Sequence, residues 1–387
     1  MPDPRPYDLV LLGATGFTGR LTAEHLARRL AGTDRSWAIA GRSPDKLRDV
    51  AAALPGTTPA TEVVDVDDHE ALTALARRTR VLASTVGPYA RYGEPVVAAA
   101  VAAGAHYADI TGEPGFVADL RDHHHDAAVA AGVKLVSCCG FDSVPHDLGV
   151  LTTVDLLPDD APLTVRGYVE ADARFSGGTA ASALEAIGSR QLPRSRPEAD
   201  PVRETRLLPQ RVHRIDAPVE LPGYGVPLPT IDPAIVRRSA QRLDGYGERF
   251  RYGHFARVRS LPVVVGGAVG LGVVGALAQL GPTRRLLARA LPSSGEGPSP
   301  ERRARSSFAV TFVGSGGGQQ VVTRVSGGDP GYDETAKMLG EAALTLASDE
   351  GPDVAGAVTP AVGLGRPYLA RLRDQGLRFE VLLDGGR

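Results

Sequence analysis

The chain has 387 residues, 43% of them hydrophobic and 23% charged, and a net charge of −2. That is long enough for two domains with sizeable cores and ordinary for a soluble globular protein. Its two cysteines, Cys138 and Cys139, exclude a disulfide framework and a multi-cysteine metal site, and suit a reducing cytosol. The first residues lack the basic and apolar layout of a secretory signal, so the expectation is a cytoplasmic protein. Charge is uneven: 14 arginines face eight acidic residues between Arg190 and Ser260, and six arginines face two glutamates between Pro282 and Arg305. Such basic stretches suit solvent, anionic lipid or a phosphopantetheine carrier, and no nucleic-acid motif accompanies them.

The first element is an apolar strand, Tyr7 to Leu12, that runs into Gly13-Ala14-Thr15-Gly16-Phe17-Thr18-Gly19. Glycines three apart between a strand and a helix form the dinucleotide-binding turn, which aims backbone N–H groups and a positive helix end at a pyrophosphate. A second strand, Trp37 to Ala40, ends at Gly41-Arg42-Ser43-Pro44. An acidic residue at such a tip binds the 2′-hydroxyl of NAD, whereas arginine suits the 2′-phosphate of NADP. Arg42 and Ser43 with nearby Lys46 therefore predict NADP.

The alternation goes on with strands at Glu62–Val66, Val81–Ser84, His106–Ile110 and Lys134–Cys138, separated by helical stretches. Short strands between long helices predict a Rossmann-type, doubly wound parallel α/β sheet, with ligands beyond the carboxyl ends of its strands. The residues expected to hold cofactor are Gly13, Thr15, Gly16, Phe17, Thr18, Gly19, Arg42, Ser43, Lys46, Asp65, Val66, Thr85, Val86, Gly87 and Pro88. Asp67 or Asp68 is expected to cap the helix after the third strand. His123, His124 and His125 fall on a helix, where consecutive side chains point about 100° apart and cannot converge on one ion. They predict a polar face, and the sequence predicts no metal site.

After about Leu151 the pattern changes. A strand is expected at Leu163–Glu170, a helix from Ser176-Gly177-Gly178-Thr179 onward, and long loops over 190–233. Two β runs, Phe308–Val313 and Gln319–Val325, flank a glycine-rich turn and predict a hairpin. A helix follows at Tyr332–Ser348 and a closing strand at Phe379–Leu383. The expected organisation is an NADP-binding domain at 1–150, a second domain at 151–330 and a C-terminal segment at 331–387. Between Arg259 and Arg284 lie 24 uncharged residues with six glycines. They admit three readings: a buried or interfacial helix, a surface for lipid or a long acyl substrate, or a membrane span.

Several of these segments together resemble a known family. GATGFTG, AGRSPDKL, TVGPYARYGEPVVAAAVAAGAHYADITGEPGF and CGFDSVPHDLG are similar to the saccharopine dehydrogenase-like oxidoreductases. SGGTAAS and GDPGYDETAKM draw the resemblance toward the trans-acting enoyl reductase branch. The resemblance implies an NADP-type domain followed by a second α/β domain with a mixed or antiparallel sheet, and a C-terminal segment at 331–387 that packs back on the first domain. It also implies reduction either of an imine or of a C=C bond on a thioester-linked polyketide or lipid chain. Short-chain dehydrogenases share the opening motif but need a Tyr-x-x-x-Lys pair. The residues four before Lys46, Lys134 and Lys337 are Arg42, Ala130 and Asp333, so that mechanism is absent.

Three side chains are candidates for catalysis. Tyr89 follows the fourth strand and offers a phenol, while Asp142 and His146 follow the sixth strand, His146 with an intrinsic pKa near ~6.5. Asp142 and Ser143 are equally suited to capping a helix at Asp147–Leu156. The leading expectation is a homodimeric NADPH-dependent reductase acting on a hydrophobic or carrier-bound substrate, with peripheral membrane contact open. The alternatives are an imine or amino-acid reductase using Arg174 to bind a carboxylate, and an NADP-binding, lipid-associated protein without turnover.

Overall fold

A computed structural model describes residues 5–56, 58–171, 201–260, 262 and 297–385. The chain divides into two units: one holds residues through Asp142 together with Gly331–Gln375, the other Ser143–Pro330 with Gly376 onward. The first boundary thus falls eight residues before the expected 150, and the C-terminal segment is shared between the units.

The first unit is built on β1 (Tyr7–Leu12), α1 (Phe17–Leu30), β2 (Trp37–Gly41), α2 (Pro44–Ala53), β3 (Ala60–Val63), α3 (His69–Ala76), β4 (Thr79–Ser84), α4 (Tyr89–Ala103), β5 (His106–Asp109), α5 (Pro114–Ala130) and β6 (Lys134–Val136). All paired strands of its sheet are parallel, in the order β14-β6-β5-β4-β1-β2-β3, where β14 is Gly356–Val358. Leu9, Val10, Leu11 and Leu12 are almost fully buried, as a central parallel strand covered on both faces requires. Two sequence-based bounds are corrected. The third strand is Ala60–Val63 rather than Glu62–Val66, because Asp65 turns the chain by accepting the Asp67 N–H at 3.2 Å. The sixth stops at Val136 rather than Cys138, whose φ of 64° lies outside the strand region. Asp68 is the cap of α3, accepting the Ala71 N–H at 3.0 Å.

The later part of this unit is fixed to α1 by charge. The carboxylate of Glu341 is wholly buried, accepts from Arg29 Nε at 2.6 Å and lies 2.8 Å from His25 Nε2. Among the three helix histidines, His125 Nδ1 accepts the Ala357 N–H at 3.1 Å, which ties α5 to β14, and His124 lies 3.3 Å from Glu94. His124 and His125 thus diverge to different partners, as helical geometry demands.

The second unit carries α6 (Val144–Val154), β7 (Leu163–Ala171), β8 (Glu204–Leu207), β9 (His213–Arg214), β10 (Tyr224–Pro227), α7 (Asp232–Ala240), β11 (Arg249–Val258), β12 (Phe308–Gly316), β13 (Gln319–Gly327) and β15 (Arg378–Leu383). Its sheet is mixed, ordered β15-β13-β12-β7-β11-β10-β9, with β8 also pairing β11. The long loops expected over 190–233 are corrected within the described part: β8, β9, β10 and the start of α7 fall there. The helix expected at Asp147–Leu156 begins instead at Val144, with Pro145 in its first turn, where the missing N–H costs nothing. The helix expected from Ser176, the carboxylate-binding Arg174 and nearly all of the uncharged stretch lie outside the described residues. No helix among the described residues is long and apolar enough to cross a membrane.

Candidate functional site

At the carboxyl edge of β1 the turn is packed to its steric limit on two sides and open on the third. Gly13 has φ +86°, and a Cβ there would stand 2.7 Å from Thr85 Oγ1. A Cβ on Gly19 would stand 2.2 Å from the Gly13 carbonyl oxygen. Both positions therefore require glycine, the first for its backbone and the second for packing α1 against the turn. Around Gly16 the nearest atom to such a Cβ is the Gly13 oxygen at 3.4 Å, so this glycine leaves an open cradle beside the helix start. The N-cap of α1 is Gly16 itself, no side chain caps the helix, and its first turn holds no acidic residue. A helix start whose N-cap residue offers no side chain and whose first turn carries no acid is suited to a phosphate.

The other expected binding residues surround this turn in the same unit. Thr15, Phe17 and Thr18 are half-buried in it, and the Phe17 ring meets Tyr332 edge-on with centroids 4.8 Å apart. Arg42 is exposed at the end of β2 and has no ion-pair partner among the described residues. Asp45, the nearest carboxylate in sequence, is paired with Arg48. Ser43 caps α2 by accepting the Lys46 N–H at 3.4 Å, and the Lys46 side chain is exposed. Asp65 is half-buried and Val66 buried just beyond β3. Thr85 ties the next loop to the turn, donating its hydroxyl to the Leu12 and Gly13 carbonyls at 3.2 and 3.1 Å. Val86 is half-buried, and Gly87 and Pro88 are exposed and joined by a cis peptide bond.

Tyr89 is buried, donates its phenol to the Ser84 carbonyl at 3.0 Å and accepts the Ile110 N–H at 3.4 Å. Burial, with the nearby Asp109 carboxylate, pushes its pKa well above 10. Asp109 was not singled out from the sequence, yet it locks two loops. One oxygen accepts the Thr111 and Cys138 N–H groups at 2.9 and 3.2 Å, and the other accepts the Ser137 hydroxyl at 2.9 Å. Burial raises its pKa to about 6 against the pull of these bonds. Glu113 was missed as well. Its two oxygens accept the Tyr89 and Ala90 N–H groups at 2.9 and 2.8 Å, closing the start of α4. Asp142 is half-buried, with an oxygen 3.1 Å from where a Cβ on Gly112 would lie.

Residues 9–136 match the saccharopine dehydrogenase NADP binding domain. A Mycobacterium tuberculosis protein whose name places it provisionally among trans-acting enoyl reductases is 39% identical, over 98% of each chain. The trans-acting enoyl reductase of Mycobacterium leprae is 37% identical, over 97% of this chain and 98% of its own. This chain belongs to the saccharopine dehydrogenase-like oxidoreductases, in their trans-acting enoyl reductase branch. Saccharopine dehydrogenase (L-Glu forming) from Saccharomyces cerevisiae shares the fold, with a TM-score of 0.56 and 14% identity over 97% of this chain and 99% of that one. The glycine turn, Arg42 and the Thr85–Pro88 loop are thus parts of an NADP-type domain.

In the second unit, His146 does not stand at an open edge. It is 1% exposed, in the first turn of α6, with Nε2 3.7 Å from Asp232 Oδ1. His254 Nε2 lies 3.3 Å from Asp232 Oδ2, and the two imidazoles meet edge-on at 4.8 Å between centroids. Burial drives the His146 pKa down to about 4, against the pull of Asp232. Burial works against the Asp232 charge, but the two histidines and Thr230 outweigh it and hold the carboxyl below the ordinary range. Asp232 and His254 lie 86 and 108 residues beyond His146, without a local motif to join them.

Proposed function

We propose that the protein is an NADPH-dependent reductase of a C=C bond conjugated to a thioester, on a hydrophobic or carrier-linked polyketide- or lipid-like chain. The observation that carries the NADP part is the pairing of an uncapped α1 with an exposed Arg42 that no carboxylate among the described residues engages. The C=C part rests on the names of relatives aligned over nearly the full chain.

When bound, NADPH supplies a hydride to an electron-poor carbon, and the remaining work is the protein's. The start of α1 would hold the pyrophosphate, and Gly16 would let it approach the backbone. Arg42 would meet the 2′-phosphate with its planar fork of donors, with Ser43 and Lys46 beside it. Asp65 and Val66 would border the adenine. Thr85, Val86, Gly87 and Pro88 would line the nicotinamide side, their position fixed to the turn through Thr85. Tyr89 acts by holding this loop, since its proton is committed to Ser84. Asp142, half-buried after β6, is assigned to substrate contact, and hydride addition to the β-carbon leaves the α-carbon to be protonated there.

The test is NADPH oxidation by the purified full chain with long-chain 2-enoyl pantetheine thioesters and, separately, with cyclic imines. Turnover with the thioesters alone is expected. Turnover with imines alone would replace this reading with an imine reductase, and NADPH binding without turnover on either would leave a cofactor-binding protein.

A further inference from the structure

Three buried ionisable side chains of the second unit converge. His146 comes from α6, Asp232 from the first turn of α7 and His254 from β11, and each is 1% exposed. Placing two imidazoles and a carboxylate in an apolar interior is costly unless their polar atoms are engaged. Their donor atoms lie within 4.8 Å of one another.

We propose that His146, Asp232 and His254 form a closed divalent-metal site of the zinc type that clips α6, α7 and β11 together. The spacing suits a shared ion. The His146–Asp232 separation of 3.7 Å is longer than a hydrogen bond, and the His254–Asp232 separation is 3.3 Å. They approach the edge of a tetrahedron, about 3.3 Å, whose centre binds nitrogen and oxygen at ~2.0–2.1 Å. The carboxylate turns Oδ1 to one imidazole and Oδ2 to the other, so a chelating carboxylate and two imidazoles would give a distorted four-coordinate set. Both histidines present Nε2, the atom that zinc-binding imidazoles commonly use.

The surrounding groups hold these ligands in place. Tyr252 Oη lies 3.2 Å from His254 Nδ1 and can accept its N–H, which leaves Nε2 available to an ion. Thr230 Oγ1 donates to Asp232 Oδ2 at 2.5 Å, which orients the carboxylate. Imidazole and carboxylate donors suit zinc, and the burial leaves no coordination position facing solvent, so the role is structural rather than catalytic.

The full chain, prepared without a histidine tag from zinc-supplemented cells, should carry about one zinc per chain by elemental analysis. Asp232→Asn should lower this at least tenfold, with His254→Gln as a second variant. Because either change can cost folding, the wild type is also measured alone. Treatment with 1,10-phenanthroline should lower its Tm by several degrees, and Zn2+ but not Mg2+ should restore it. Replacement by Co2+ should give visible bands of tetrahedral intensity. A wild type that carries no stoichiometric metal and keeps its Tm in chelator would overturn the proposal in favour of a proton-sharing cluster. A redox-active metal with exchangeable positions would overturn the closed-site assignment.

Discussion

The Glu113 carboxylate closes the start of α4 by accepting the Tyr89 N–H at 2.9 Å and its neighbour's at 2.8 Å. Two helices start at the carboxyl edges of the adjacent strands β1 and β4, and this contact tells them apart. The positive end of α4 is already neutralised by a carboxylate, whereas α1 has neither a side-chain cap nor an acid in its first turn. This difference supports the proposal that the pyrophosphate binds at α1 rather than α4.

Removing this contact should loosen the loop that Tyr89 ends. Glu113→Ala strands two N–H groups and should cost about 1–2 kcal/mol of stability, while raising the KM for NADPH several-fold. Hydrogen exchange at the Tyr89 and Ala90 amides should accelerate in step. Unchanged exchange would show that the carboxylate does not hold the helix start.

The three turn glycines should respond differently to alanine. Gly19→Ala drives a methyl against the Gly13 carbonyl at 2.2 Å, so the variant should be strongly destabilised or insoluble. Gly16→Ala meets only ordinary contact at 3.4 Å and should fold, yet fill the cradle and weaken NADPH at least tenfold. Thermal melts alongside cofactor titration separate the two effects. A Gly16→Ala variant with native affinity would place the pyrophosphate elsewhere.

Arg42 is expected to decide between the two nicotinamide cofactors. Arg42→Ala should weaken NADPH by about 10- to 100-fold, roughly 1.4–2.8 kcal/mol, and leave NADH nearly unchanged. The wild-type preference for NADPH should also shrink with added salt, because the side chain is exposed. Equal loss for both cofactors would assign Arg42 to something other than the 2′-phosphate.

Asp109 gives a pH dependence of defined sign. Its pKa is about 6 in the fold against an ordinary 3.8, so the folded state holds the extra proton between those values. The group's contribution is fully present below about pH 3.8 and is lost as pH rises through about 6. Asp109→Asn keeps an acceptor for the loop N–H groups without the buried charge. Relative to it, the wild type should lose on the order of 2–3 kcal/mol between pH 4 and 7 in denaturant titrations. A pH-independent difference would contradict a raised pKa.

Much of the first unit was legible because its signals are local. The apolar run of β1, the spacing of Gly13, Gly16 and Gly19, and Arg42 at the end of β2 each depend on neighbours in sequence. Strand ends were less legible: the Asp65 turn and the positive φ of Cys138 are backbone events with no periodicity to announce them. Glu113 precedes Pro114, the start of its own helix, but its carboxylate serves α4, 24 residues back from its position to Tyr89, so it reads as an ordinary cap. His146 looked like a proton donor because its sequence neighbours lie at a sheet edge. Only the fold brings Asp232 and His254 to it, and their burial takes it away from solvent.

The most direct test of the reductase reading is the fate of the hydride. The full chain would be incubated with a long-chain 2-enoyl pantetheine thioester and NADPH deuterated at C4, each face in turn, and the thioester product weighed. The expected result is a saturated product that carries one cofactor-derived deuterium at its β-carbon from one face of the cofactor only. Saturated product without cofactor deuterium from either face, or no product while NADPH is bound, would contradict it.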